Sequence, residues 1–455
     1  MNKIKPLLLL LIISTLIFAA CSSKDTNKNT DKNTDTNKDG NEQEEALFEV
    51  DASIEGDITF WTWTPAVYED IVPAFNKEYP NINVKVVGVN LDDMHNNLQN
   101  TLAAGTGAPD VSQVVQGQFA RYSTSDLLDD LLQPPYNAGK YKDLVSEYNW
   151  ERWKSVDGKR LVGMPWDVTP GVFYYRADLY EQVGLPSDPK ELGEFLSTKE
   201  NVLDAAQTLK ANDIYMFDWR DLPAVQYGDS IGYFDTEYNW LRNTDEMADM
   251  IDFTKQGIQI GWAPQLGYMS DEGKQLVNQG KLASVTKGSF AARDLAINFP
   301  EQAGKWRATT MPLGLSVGLG GSSFVIPSQG ENKEAAWAFV QWMVLSETAW
   351  EIFAEHSVQP SYKHITSLPW YQEHTNEFLG DQQDFKLYTE IERQIPVRRL
   401  TPLDGRAWTH YIEGLNESIN NNVDSKAILQ QIEDAAMREF ATEIEELKAE
   451  MAKVE

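Results

Sequence analysis

The sequence predicts an α/β fold built as two lobes, and three observations carry that prediction. Strand-like apolar runs alternate with helix-period segments between Ile58 and Val115, the βαβαβ order of a lobe on a largely parallel sheet. Strand and helix patterns resume beyond Gly171 and again around Ser323, so the chain crosses between lobes more than once. Length permits two cores: of 455 residues, roughly 400 follow a polar N-terminal stretch.

Ile58-Thr59-Phe60-Trp61-Thr62-Trp63 reads as a buried strand, and Tyr68 to Tyr79, after Pro65, has helical spacing that ends at Pro80-Asn81. Ile82 to Val86 alternates as a second strand. Met94 to Ala104 is helical, Gly105 to Pro109 is a loop, and Val111 to Val115 is a third strand. A Trp- and Tyr-rich stretch from Tyr148 to Trp166 leads into a strand at Gly171 to Tyr175. Helices are expected over Leu203 to Leu209, Glu246 to Gln256, Lys333 to Ala354 and Ala427 to Met451, with a strand at Ser323 to Pro327.

Ahead of these elements, Lys3 and Lys5 precede an apolar run from Leu7 to Phe18, and Ala19-Ala20 leads to Cys21, the only cysteine. The run is shorter than the roughly 18 to 20 residues of a spanning helix, so it reads as a secretory leader that is cut. Phe18-Ala19-Ala20-Cys21 resembles a bacterial lipobox, with Phe18 where that motif usually has Leu. The resemblance implies that Cys21 is acylated and becomes the new N-terminus. Ser22 to Glu45 holds no aromatic or β-branched aliphatic residue and cannot bury enough surface to offset its ordering entropy, as suits a leash.

One cysteine excludes an intrachain disulfide, so the domain is held by its cores alone. A formal charge of −30 argues against nucleic acid or an anionic lipid surface as ligand, because phosphate binding needs clustered Lys and Arg. Five histidines show no HExxH spacing, and no GxSxG elbow or P-loop occurs. With 69 acidic residues, nothing singles out the opposed pair a glycosidase needs. The chain therefore reads as a non-enzyme that needs no metal or cofactor.

The ordered pieces Ile58-Thr59-Phe60-Trp61, Phe75 to Ile82, Leu102 to Val111, Asp157-Gly158-Lys159, Met164-Pro165-Trp166-Asp167, Phe173 to Leu179 and Gly184-Leu185-Pro186 resemble the extracellular solute-binding proteins of carbohydrate ABC importers. This is the family 1 group that includes maltodextrin-binding proteins. The resemblance implies a periplasmic-binding-protein-like fold, with two lobes joined by a hinge and a ligand cleft between them. It implies a carbohydrate ligand and a membrane permease that recognises the closed form, a population shift favoured by a ligand touching both lobes. The expected divisions are a leader over 1–20, an acylated cysteine and leash over 21–50, a first lobe from 51–166 and 306–356, and a second from 167–305 and 357–455. The protein is expected to act as a monomer at the outer face of a membrane.

Sugars present hydroxyls at the ring edge and C–H groups on the faces, so a sugar cleft needs aromatic plates and planar polar side chains. Trp61 and Trp63 point the same way on the first strand; Trp63, at its exit, is the ligand candidate, with Thr64 beside it. Gln116 and Gln118 follow the third strand, where each amide can donate and accept. Asp167 lies where the family crosses between lobes and can accept charge-assisted bonds from hydroxyls. Of the alternating Tyr174 and Tyr175, Tyr174 is assigned to the cleft. Trp219, beside Arg220, and Phe290, in a motif where the family more commonly has Trp, are second-lobe candidates. Gly320 and Gly321 match the family's glycine-rich approach to a strand, and Trp408 its further aromatic; a plain turn is the ordinary alternative for the glycines. An acidic saccharide would instead call for a cleft arginine such as Arg220 or Arg293, and a glycan sensor working with a receptor would look the same in sequence.

Overall fold

The computed structural model describes residues 47–124 and 126–452, so the leader, Cys21 and the leash as far as Ala46 lie outside the described residues. Strands β1 (Gly56–Thr62), β2 (Ile82–Gly88) and β3 (Val111–Val115) pair in parallel in the order β2-β1-β3, with Gly56 opposite Ile82 and Phe60 opposite Val111. Helix α1 (Tyr68–Glu78) buries Tyr68, Ile71, Ala74 and Phe75, a stripe at helical spacing. Helix α2 (Leu91–Ala104) starts three residues before its expected Met94, because the Asn90 side chain accepts a bond from the Asp92 N–H.

Only that part of the sheet is parallel, which corrects the expectation of a largely parallel one. β7 (Gly318–Val325) returns to the first lobe in the opposite sense and pairs antiparallel with β3. β4 (Met164–Arg176), β5 (Ser284–Gly288) and β6 (Trp306–Thr309) complete the sheet through antiparallel pairs, in the order β2-β1-β3-β7-β4-β5 with β6 also on β4. β4 belongs to both lobes. Its Met164 to Pro170 portion pairs with β7, and Gly171 to Arg176 pairs with β5 and β6.

Three main apolar clusters follow from this layout. In the first lobe Phe60 meets Tyr68, Phe339 and Phe324 edge-on, with ring centroids 4.7, 5.6 and 5.8 Å apart. In the second lobe β4 sends Phe173 and Tyr175 into one cluster and Val172 and Tyr174 into another, as a strand's alternation requires when both faces are covered. Packing shifts the lobe divisions. Trp306 and Ala308 of β6 sit in a second-lobe cluster, so the returning first-lobe segment starts at β7 and not at residue 306. It also outruns residue 356, since Tyr362 and Ile365 pack in the first core and the Tyr362 hydroxyl donates to Pro165 O at 2.6 Å. Phe48 already packs on this core, ahead of the expected leash end at residue 50.

The helix expected over Lys333 to Ala354 is two helices, Lys333–Leu345 and Glu347–Glu355. Ser346 takes an extended conformation and its hydroxyl caps the second. Among the described residues, no helix is long and apolar enough to cross a membrane.

Candidate functional site

The exits of β1, β3 and the crossing strand β4 meet at one place. The Thr62 hydroxyl donates to Gln113 Oε1 at 2.7 Å and accepts from the Thr64 N–H at 3.1 Å, which sets the turn carrying Trp63 and Thr64. Trp63 is half-buried with its ring centroid 5.9 Å from His95. His95 Nε2 accepts from the Val115 N–H at 3.3 Å, and burial holds its imidazole below the usual range, favouring the neutral ring that can accept.

Gln116 and Gln118 lie in a short helix that follows β3, α3 (Gln116–Phe119). The Gln116 side-chain oxygen accepts from Arg152 Nη1 at 2.6 Å and the Tyr148 hydroxyl at 3.2 Å. Arg152 follows helix α4 (Glu147–Glu151) and is 1 % exposed; it also donates to Gly320 O at 2.9 Å and Asp167 O at 3.0 Å. Asp167 Oδ1 takes both the N–H and the hydroxyl of Ser322, at 2.6 and 2.7 Å. Burial pushes its carboxyl above the ordinary range, against the Ser322 bonds and the Arg152 charge.

Gly320 and Gly321 belong to β7, with φ of 140° and 104°. A Cβ on Gly320 would stand 2.6 Å from Thr169 Oγ1, and one on Gly321 would strike the Arg152 guanidinium and Asp167 O. Close packing of the protein on itself therefore accounts for both glycines. Phe290 borders the same cluster from the second lobe: a Cβ on Gly288 would meet its ring at 2.6 Å and Thr169 at 3.2 Å.

Gln116, Asp167, Gly320, Gly321 and Phe290 are thus neighbours through Arg152 and Thr169, while Trp63 and Thr64 join from the β1 exit. Trp219, whose ring lies against Gly267, and Trp408, in the helix Asp404–Asn421, stand apart from that network but share a property with Phe290. These three are 37, 38 and 36 % exposed, and among the described residues no other aromatic side chain is exposed. Tyr174 corrects the expectation that it faces the cleft. It is fully buried, with its hydroxyl donating to Ser289 O at 3.0 Å and 2.9 Å from that of Tyr388, because both faces of β4 are covered here. Arg220 and Arg293 are engaged by Asn420 and by the His356 carbonyl.

The sequence reading missed Arg152 and Tyr148. Their i, i+4 spacing around α4 beside Trp150 and Trp153 was the available signal, since a guanidinium can be buried over aromatic rings; it lies 4.6 Å from the Trp153 ring and 4.8 Å from that of Tyr148.

Two α/β lobes sharing one sheet strand, with polar groups gathered at the crossing and rings standing out of the second lobe, define a two-lobed binding protein. The chain belongs to the bacterial extracellular solute-binding protein family, whose profile matches residues 61–350. It is 26% identical over 364 residues to the arabinooligosaccharide-binding protein of Bacillus subtilis (strain 168), covering 75% of this chain and 82% of that one. It is 23% identical over 388 residues to the lactose-binding protein of Rhizobium radiobacter, covering 77% and 86%. A crystal structure of an extracellular solute-binding protein family 1 member superposes with a TM-score of 0.75 at 20% identity, over 84% of this chain and 99% of that one. The sugar-binding protein MalE of Xanthomonas citri gives 0.72 at 20%, over 86% and 99%.

Proposed function

We propose that this protein captures a carbohydrate, an oligosaccharide in particular, between its lobes and delivers it to the permease of an ABC importer, held to the membrane by a lipid on Cys21. The observation that carries the reading is the set of exposed rings. Leaving over a third of Trp219, Phe290 and Trp408 in water forgoes burial worth about 1 kcal/mol each, which a ligand with apolar faces recovers. The polar half of such a site is Gln116 and Asp167, with Trp63 and Thr64 beside them and Gln118 two residues on; Gly321 contributes by letting Arg152 approach, and Gly320 by making room for Thr169. The names of the similar arabinooligosaccharide- and lactose-binding proteins support a sugar over other solutes.

Thermal melting with arabinotriose, lactose, maltose, amino acids and metal salts tests the ligand class, because a ligand of the folded state raises Tm by mass action. A rise with at least one saccharide is expected; a rise with amino acids or metals alone defeats the reading. Mass spectrometry of the mature N-terminus tests the anchor: a diacylglycerol on Cys21 is expected, and an unmodified thiol there rules the tether out.

A further inference from the structure

Arg152 is a buried cation whose direct partners are all neutral: the Gln116 side-chain oxygen, the Tyr148 hydroxyl, and the carbonyls of Gly320 and Asp167. Among the described residues no carboxylate forms an ion pair with it, and its Nε lacks a partner. The carboxylates of Asp167 and Glu392 act on it through space without an ion-pair contact, and a buried charge hydrogen-bonded only to neutral groups is a costly arrangement to keep for stability alone. Its geometry has a second effect. A guanidinium can only donate, so the Gln116 amide must turn its oxygen inward, where the Tyr148 hydroxyl donates to it as well. The amide NH2 then points away from both. Among the described residues no bond from it is formed, and Gln116 is half-buried. The same guanidinium holds the backbone of Asp167 through its other terminal nitrogen, and Ser322 occupies Oδ1 of that carboxylate, leaving Oδ2 outside the pair.

We propose that Arg152, with Tyr148, is a positioning residue for the ligand. It presents Gln116 as a donor only, and sets it at a fixed spacing from the acceptor-only carboxylate of Asp167. A donor and an acceptor held side by side read a ligand edge that offers an acceptor and a donor in turn, which is the pattern of two adjacent hydroxyls. Lysine cannot do this, because one ammonium lacks the planar fork that reaches Gln116, Gly320 and Asp167 together.

The inference rests on the saccharide reading, and calorimetric titration of the full chain with arabinotriose, lactose and maltose separates the two. Gln116→Glu keeps an oxygen for Arg152 and Tyr148 while removing the NH2, so affinity for the saccharide that binds wild type should fall about tenfold or more with no loss of Tm. Arg152→Lys should lose at least a similar factor, and clearly less than that factor when placed on Gln116→Glu, since its action on the amide is then already gone and only its hold on the Asp167 backbone remains. Tyr148→Phe keeps the argument testable should Arg152→Lys not fold; its smaller loss should vanish in the Gln116→Glu background. Saccharide binding that stays within about twofold in Gln116→Glu, or losses that simply add in the double variants, overturns the positioning role alone. A wild type that binds none of the sugars overturns the saccharide reading and this inference with it.

Discussion

The two lobes place their aromatic side chains differently. In the first, Phe60, Phe75, Trp342 and Trp350 are buried and meet one another or their neighbours edge-on. In the second, an aromatic core around Phe173, Phe217 and Trp262 coexists with the partly exposed Trp219, Phe290 and Trp408. The difference teaches that aromatic content says little, whereas a ring left partly in solvent says a good deal. It also divides labour: the first lobe and the crossing strand offer hydrogen bonds, and the second lobe offers flat apolar surface.

The contrast can be broken most severely at the buried end. Phe60→Ala should cost about 3 to 5 kcal/mol of stability in denaturant unfolding, because three edge-on partners would line the vacated space. A loss below about 1 kcal/mol would mean the first lobe does not depend on that packing.

The seam between lobes comes next. Glu392, at the end of the helix Asp384–Glu392 in the second lobe, accepts from the hydroxyl of Ser146, which caps α4 of the first, at 2.5 Å. Burial pushes its carboxyl up to about 7 from an ordinary 4.5. Its neutral form therefore stabilises the fold fully below about pH 4.5, and that contribution is lost as pH rises through about 7. The shift corresponds to at most about 3 kcal/mol. Glu392→Gln, neutral at every pH, should melt higher than wild type at pH 8 and alike near pH 4.5; parallel melting curves across that range would contradict this.

At the exposed end, Phe290→Ala should lower saccharide affinity about tenfold while costing only about 1 to 2 kcal/mol of stability, since its ring is partly packed over Gly288. Equal affinity in titration would remove Phe290 from the site. The smallest effect serves as a control. Thr244→Ala deletes the cap of the helix Asp245–Ile260, should cost about 1 kcal/mol, and should leave affinity unchanged.

The sequence was legible where one local rule decides the outcome. β3 has the expected limits at Val111 and Val115, a short run buried on both faces, and β1 and β2, whose burial alternates, differ from expectation only at their ends. Phe290 and Trp408 were chosen from the motifs around them, whereas Trp219 was chosen on composition alone. Tyr174 was misread because alternation shows that two tyrosines face opposite ways, but not that a helix covers each face. Arg152 escaped because burial of a guanidinium depends on oxygens from Gln116, Asp167 and Gly320, brought together only by the fold. The sense of β7 escaped for a related reason: direction in a sheet is set by where the chain re-enters it.

β4 runs unbroken from one lobe to the other, yet its register against β7 slips between Pro165 and Asp167 and again between Val168 and Pro170. Extra residues at such slips lie outside the regular ladder and bend the strand locally. The crossing strand is thus a torsion bar whose ladder is interrupted at two places, one held by the buried ring of Trp166 and one at Thr169. Amide hydrogen exchange is therefore expected to be slower along the regularly paired lengths of β4 than at Thr169.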